Sequence, residues 1–248
     1  MVLSIQPPSD SNSSSKEFYR SANQLLDFLS TTSRQNLLRH SQRILLPAKT
    51  SLYQPDEPIK TVYFPIRGIV SLVNIDAKGL MAEAITVSHE GMVGITAFLG
   101  GDFFPGYAIV QTDCVAISLA ADLLQQEFAM GGELQRILLL YTQALLAQVT
   151  QNVFCSCHHT LEQRLARWLL AFGDRLNQKE LLLTQETLAE LLGVKRSSLS
   201  TVASELRQKN LIDYSRGRIS LQNLPALRNI ACECDRYISA EYSRLFSL

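Results

Sequence analysis

The sequence carries no surplus of either charge: 23 Lys and Arg stand against 23 Asp and Glu in 248 residues, a balance that at first sight argues against a nucleic-acid partner. Cysteine is also scarce. Cys114, Cys155, Cys157, Cys232 and Cys234 form an odd set of five with no secretory signal before them, so a disulfide framework is not expected and a reducing, cytoplasmic setting is. No uninterrupted apolar run reaches about 18 residues, and no membrane span is expected. Metal-dependent oxygenases built on β-barrels need several histidines and a carboxylate converging inside the barrel. The β-rich part of the chain holds only His40 and His89, without an H-x-H pair, which leaves no catalytic site of that kind and no enzyme is expected. What is present is ample apolar material, 46% of residues, in a length that favours two domains.

The most informative stretch is Leu183 to Leu206, which reads as two short helices around a tight turn. Thr184 is a good N-cap, with Glu186 near the positive end of the dipole. Leu188, Leu191 and Leu192 make one apolar face. Gly193 then stops the helix, because glycine takes the left-handed conformation at little cost. In the second helix Leu199, Val202, Ala203 and Leu206 recur at helical spacing and face the first. The opposite face is Arg196, Ser197, Ser200, Thr201 and Ser204: short polar side chains around one Arg, a slim ridge that fits a major groove. A packed helical hairpin with a polar surface is the alternative, and the residues downstream argue against it. Leu211-Ile212 is apolar, Tyr214 to Arg218 looks like a hairpin tip, and Ile219 and Leu221 resume alternation. Together these make a winged helix-turn-helix. Between Thr160 and Ser220 ten basic residues meet seven acidic ones, a local excess that supports DNA binding weakly.

Upstream, residues 1–20 are Ser- and Pro-rich with little to bury and are expected to be mobile. Asn23 to His40 reads as helix. Seven short apolar runs then follow, from Ile44-Leu45-Leu46 to Cys114-Val115-Ala116-Ile117, separated by turn signals such as Pro55 to Pro58 and Arg67-Gly68; they predict an antiparallel sandwich or barrel. From Leu134 to Val153 the period is helical with no Gly or Pro. Leu134, Leu138, Tyr141 and Leu145 keep a 4, 3, 4 spacing and are expected to form the seam with a second subunit. Leu139, Leu140 and Leu146 lie off that seam, so a second face must also be covered, by the β-rich part; a central helix buried within one chain is the alternative. Thr160 and Gln163 have capping-box form and open another helix, making Cys155 to His159 the expected hinge.

This order of parts resembles the Crp/Fnr family of bacterial transcription regulators. The resemblance covers roughly Leu25 to Leu227 and is carried by Val62-Tyr63-Phe64 with Gly68-Ile69-Val70, by Glu90 to Gly94, by Arg164 to Leu169, and by Gly193 to Ser198. It implies an α+β chain: a flexible terminus (1–20), a cyclic-nucleotide-binding-like jelly roll (21–130), a dimerisation helix (131–157), a winged helix-turn-helix (158–223) and a helical extension (224–248). Double-stranded DNA, a second copy of the chain and RNA polymerase are the partners it implies. Arg196 matches the recognition-helix Arg that donates to guanine O6 and N7, with Ser197, Ser200 and Thr201 beside it as base contacts. Ser197 and Thr201 stand where the best-known member has Glu and Arg, so that member's half-site does not transfer. Gln185, Lys195, Ser198, Arg216 and Arg218 are expected on phosphates.

The sensor departs further from the family pattern. Members that bind cyclic AMP use a Gly-Glu pair for the ribose and an Arg-Ser/Thr pair for the phosphate. Here Gly91 is followed by Met92 and Gly94 by Ile95, while the segment with Gly106 and Tyr107 has no Arg. An anionic phosphate without its cation is hard to hold, so no cofactor is assigned and cyclic AMP is not expected in this pocket. The iron-sulfur branch needs N-terminal cysteines, and the first here is Cys114. Cys155, Cys157, His158 and His159 leave open a metal- or redox-responsive regulator of the same fold, with Cys232 and Cys234 offering two more thiols, and a cyclic-nucleotide-binding module is the further alternative; neither cysteine group has the C-x₂-C zinc spacing.

Overall fold

A computed structural model describes residues 3–4, 22–101 and 103–247. The chain separates into two compact units. The first comprises Met1–Leu72, Thr86–Ala144 and Tyr242–Leu248, the second Val73–Ile85 and Leu145–Glu241. This division differs from the domain limits read along the sequence, because it falls inside a β-hairpin and inside the long helix.

Two four-stranded sheets make the β-rich part. One has the order β1 (Leu3–Ser4), β2 (Gln42–Leu46), β8 (Cys114–Ala120), β4 (Thr61–Arg67); the other has β3 (Ser51–Tyr53), β7 (Tyr107–Val110), β5 (Val70–Ile75), β6 (Met81–Val87). The expected mobile terminus lies outside the described residues except for β1, which pairs antiparallel with β2. Val62 and Phe64 of β4 and their cross-strand partners Leu119 and Ile117 of β8 are all buried, as a sheet with one face on a core requires. Pro65 has no N–H to give the ladder, and the register shifts between Pro65 and Arg67.

Asn23 to His40 forms two helices rather than one, α1 (Gln24–Asp27) and α2 (Thr31–Leu38). Asn23 and Ser30 are each N-caps, accepting from Leu26 N and Ser33 N; the second cap sits where one continuous helix would have run. Two more helices, α3 (Thr96–Leu99) and α4 (Ala121–Ala129), precede α5 (Glu133–His158).

The long helix corrects two expectations. Leu134, Leu138, Tyr141 and Leu145, read as the subunit seam, are buried within the single chain, with Leu138 and Tyr141 fully inaccessible. They are core residues, and the 4, 3, 4 spacing marks the face packed inside the protomer. The uncovered apolar line is the other one: Leu139, Leu146 and Val153 are 49%, 64% and 59% exposed. The second correction concerns the hinge. Cys155 to His158 continue α5, and the chain leaves the helix at His159.

In the second unit, α6 (Leu161–Leu176) opens on the expected capping box: Thr160 Oγ1 accepts from Gln163 N and Gln163 Oε1 from Thr160 N. Its buried stripe is Leu165, Ala166, Trp168, Leu169 and Phe172. Trp168 Nε1 donates to Glu83 Oε2 at 2.8 Å, which ties the β5–β6 hairpin to this helix. The remaining elements are β9 (Glu180–Leu182), α7 (Gln185–Leu191), α8 (Arg196–Gln208), β10 (Ile212–Ser215), β11 (Arg218–Leu221), α9 (Leu224–Ile230) and α10 (Cys234–Leu245). β10, β11 and β9 form a three-stranded sheet in that order. The first two strands match the hairpin expected from the sequence; β9, three residues long with a single buried side chain, carries no alternation to reveal it.

Candidate nucleic-acid interface and sensor segment

The turn between α7 and α8 is fixed by local hydrogen bonds. Thr184 Oγ1 accepts from Thr187 N, capping α7. At the other end Val194 N donates to Ala189 O and Gly193 N to Glu190 O, the two bonds of a Schellman motif. Gly193 has φ +65°, where a side chain would strain the backbone. Arg164 reaches across from α6 and its Nη2 donates to Leu192 O at 2.6 Å, satisfying another carbonyl at that helix end.

This geometry aims α8 outward. Leu199, Ala203 and Leu206 are buried, whereas Arg196, Ser197, Ser198, Thr201 and Ser204 are exposed. Ser200 is half-buried at the edge of that face. Thr201 Oγ1 donates to Ser197 O at 3.2 Å, which leaves the hydroxyl oxygen as an acceptor. Lys195 is the N-cap residue, exposed and making no side-chain cap. The first-turn N–H groups of a 13-residue helix therefore lack a capping side chain, a setting that favours an anion.

The wing lies beside the start of α7. Tyr214 Oη accepts from Gln185 N at 3.4 Å, and a Cβ added at Gly217 would lie 3.7 Å from the Thr184 methyl group. Arg216 and Gly217 form the tip with φ +50° and +76°, the two left-handed residues of a type I′ turn. Arg216 is exposed. Arg218 is exposed too, but its Nη1 bonds Glu180 Oε2 at 2.9 Å, so of the two wing arginines Arg218 has a carboxylate to exchange for a phosphate. Gln185 opens α7, Lys195 and Ser198 stand at the start of α8, and Arg216 and Arg218 belong to the wing. Tyr214 is a contributor that sequence reasoning did not single out; the signal is an aromatic residue two positions before the turn, able to reach back to a helix N-terminus.

The sensor segment is built differently. Met92 is fully buried; its N–H donates to Tyr141 Oη at 3.0 Å and its carbonyl accepts from the same hydroxyl at 2.9 Å. Asn23, also fully buried, donates through Nδ2 to Gly91 O at 2.8 Å and to Pro65 O at 2.7 Å. A Cβ at Gly91 would collide with the Tyr141 ring. Burial, with Tyr242 nearby, holds the Tyr141 phenol well above its usual pKa, so it stays neutral and can donate and accept at once. Gly94 has φ +102°. Gly106 is buried and Tyr107 half-buried. Sequence reasoning places neither Asn23 nor Tyr141 in this segment, since both contacts come from elements distant along the chain.

The cysteine expectation is also redrawn. Cys157 and His158 are exposed, while Cys155 and His159 lie with Cys232 and Cys234.

Comparison with known proteins gives consistent results for both halves. The profile of the cyclic nucleotide-binding domain matches residues 43–130, and that of the Crp-like helix-turn-helix domain matches residues 163–230. The global nitrogen regulator of Synechocystis sp. is 21% identical over 191 residues, covering 71% of this chain and 83% of that protein. Among solved structures, FixK2 from Bradyrhizobium japonicum superposes with a TM-score of 0.67 at 18% identity, covering 77% of this chain and 98% of FixK2. The c-di-GMP-responsive global regulator CLP from Xanthomonas campestris gives 0.65 at 20% identity, over 78% of this chain and all of CLP. At these identities the solved structures speak for the fold alone.

Proposed function

The chain belongs to the Crp/Fnr family of DNA-binding transcription regulators, and on that premise we propose that two copies pair through α5 and read a two-fold symmetric operator with α8 of each. The observation that carries this is the exposed polar face of α8, presented beside an N-terminus without a capping side chain. Arg196, Ser197, Ser200 and Thr201 read base edges; Gln185, Lys195, Ser198, Arg216 and Arg218 position the backbone. Two-fold symmetry sets the half-sites about 34 Å apart.

For the pairing surface, Leu139, Leu146 and Val153 recur every seven residues, and all three are about half exposed or more, a seam of the coiled-coil kind. α5 is also long and apolar enough to cross a bilayer. Part of it is buried within the chain, and exposed Gln143 and Thr150 interrupt the apolar line. Those polar groups suit a wet protein seam better than lipid, which also fits a cytoplasmic protein that meets RNA polymerase.

The sensor is proposed to ignore cyclic AMP. The backbone of Gly91 and Met92 is already engaged by Asn23 and Tyr141, Met92 offers no strong acceptor to a ribose hydroxyl, and no Arg lies between Phe103 and Ala108 to hold the phosphate charge. Selection of duplexes from a random pool by the purified chain tests the central reading. Enriched palindromes with half-sites one turn apart are expected; enrichment of single, unpaired sites overturns the symmetric arrangement.

A further inference from the structure

Four soft ligands converge where α5 ends. Cys155 Sγ lies 3.5 Å from Cys232 Sγ, Cys234 Sγ lies 3.4 Å from His159 Nδ1, and all four ligand atoms are within 4.8 Å of one another. The three cysteines are buried and His159 half-buried, and all four belong to the second compact unit. Two come from the last turn of α5 and its exit, four residues apart and hence on one helix face; two bracket the start of α10. A tetrahedral ion with metal–sulfur bonds of about 2.3 Å and metal–nitrogen bonds of about 2.0–2.1 Å sets its ligands roughly 3.5–3.8 Å apart. The two short separations already have about that length.

Buried thiols often pack simply as small apolar side chains. The surroundings of this cluster argue for more. Glu233 Oε2 lies 3.7 Å from His159 Nε2, which favours the proton on Nε2 and turns the Nδ1 lone pair toward Cys234. A carboxylate behind a histidine is the usual outer partner of a metal ligand. Gln151 Nε2 donates to Cys234 Sγ at 3.1 Å, a bond that a thiolate accepts better than a thiol. The Arg167 guanidinium acts electrostatically on both Cys155 and Cys232.

We infer that Cys155, His159, Cys232 and Cys234 form a tetrahedral site for a divalent transition-metal ion of the zinc class. On binding, each thiol gives its proton to solvent, three metal–sulfur bonds and one metal–nitrogen bond form, and no electron is transferred. Three thiolates and a divalent ion leave one negative charge, opposite in sign to Arg167. The ion would cross-link the end of α5 to the start of α10, so that metal supply sets how firmly the C-terminal helices hold the base of the winged unit.

Cobalt(II) is the probe. Full-length protein, stripped with chelator under reductant and titrated with cobalt, is expected to bind one ion per chain with the thiolate charge-transfer and intense d–d absorption of tetrahedral cobalt, and zinc should bleach both. Cys157→Ser, outside the cluster, should titrate like the wild type. Cys234→Ser should lose the spectrum, and Glu233→Gln should weaken binding about 10–100-fold. A wild-type chain that takes up no cobalt, or a Cys234→Ser spectrum identical to wild type, overturns the assignment. Thiol labelling of the wild type alone decides the matter if variants misfold: zinc should protect three thiols that chelator re-exposes, and equal labelling in both states, or a Cys155–Cys232 disulfide in place of metal, overturns it.

Discussion

The winged unit and the β-roll handle polar groups in opposite ways. On the winged side the informative residues point out: Arg196, Ser197, Thr201 and Arg216 are exposed around a buried apolar stripe. In the roll they point in, where Asn23 and the Tyr141 hydroxyl are spent on the backbone of Gly91 and Met92. A surface that must meet a charged, hydrated partner keeps its donors in water until contact. A core segment that has closed its own hydrogen bonds gains rigidity and loses the means to recognise a polar ligand.

The helix α5 allows the sharpest test, since its two apolar faces should respond in opposite ways to one substitution. Leu138→Asp places an unpaired charge at a fully buried position, costing several kcal/mol. Loss of cooperative thermal unfolding is expected. Leu146→Asp, at a position 64% exposed, should leave each chain folded and give a monomer by light scattering. A folded, monomeric Leu138→Asp protein would reverse the assignment of the two faces.

Next in size, Arg196→Ala should cost about 1–3 kcal/mol per half-site and relax preference at one guanine. Binding measured against an operator and against variants at each position checks this; uniform loss on every sequence would deny base reading by Arg196. Within the roll, Tyr141→Phe removes both hydrogen bonds to Met92 and leaves a buried N–H without that partner, for about 1–3 kcal/mol of stability. Denaturant unfolding measures it, and an unchanged midpoint would mean that the hydroxyl contributes nothing net. The smallest effect belongs to the wing: Arg216→Ala should weaken all duplexes alike and lower the salt slope by about 0.9 if one phosphate contact is lost. A change in sequence preference instead would move Arg216 among the base readers.

The same contrast explains what the sequence made legible. Thr184, Gly193 and the Thr160/Gln163 pair act within a few residues of themselves, so cap and turn chemistry is readable directly and the structure shows those bonds. The strands are legible from alternation, apart from β9, which is too short to alternate. The seam on α5 is misread for a physical reason: two apolar lines share the helix, spacing alone does not say which is covered by the protomer, and Tyr141 counts as apolar until its hydroxyl finds Met92. The cysteine cluster is misread likewise, because proximity in sequence favours Cys157 and His158, whereas folding brings Cys232 and Cys234 to Cys155 from about eighty residues away.

Tyr141 also gives the first unit a built-in clock. Its hydroxyl satisfies both backbone groups of one residue, so the Met92 amide can exchange with solvent deuterium only when α5 lifts from the loop segment around Met92 that precedes α3. Exchange at that single amide therefore reports the free energy of a defined opening, separate from global unfolding. Any effector that loosens or tightens the seating of α5 on the roll should register there as a change in protection, even when secondary structure and oligomeric state stay the same.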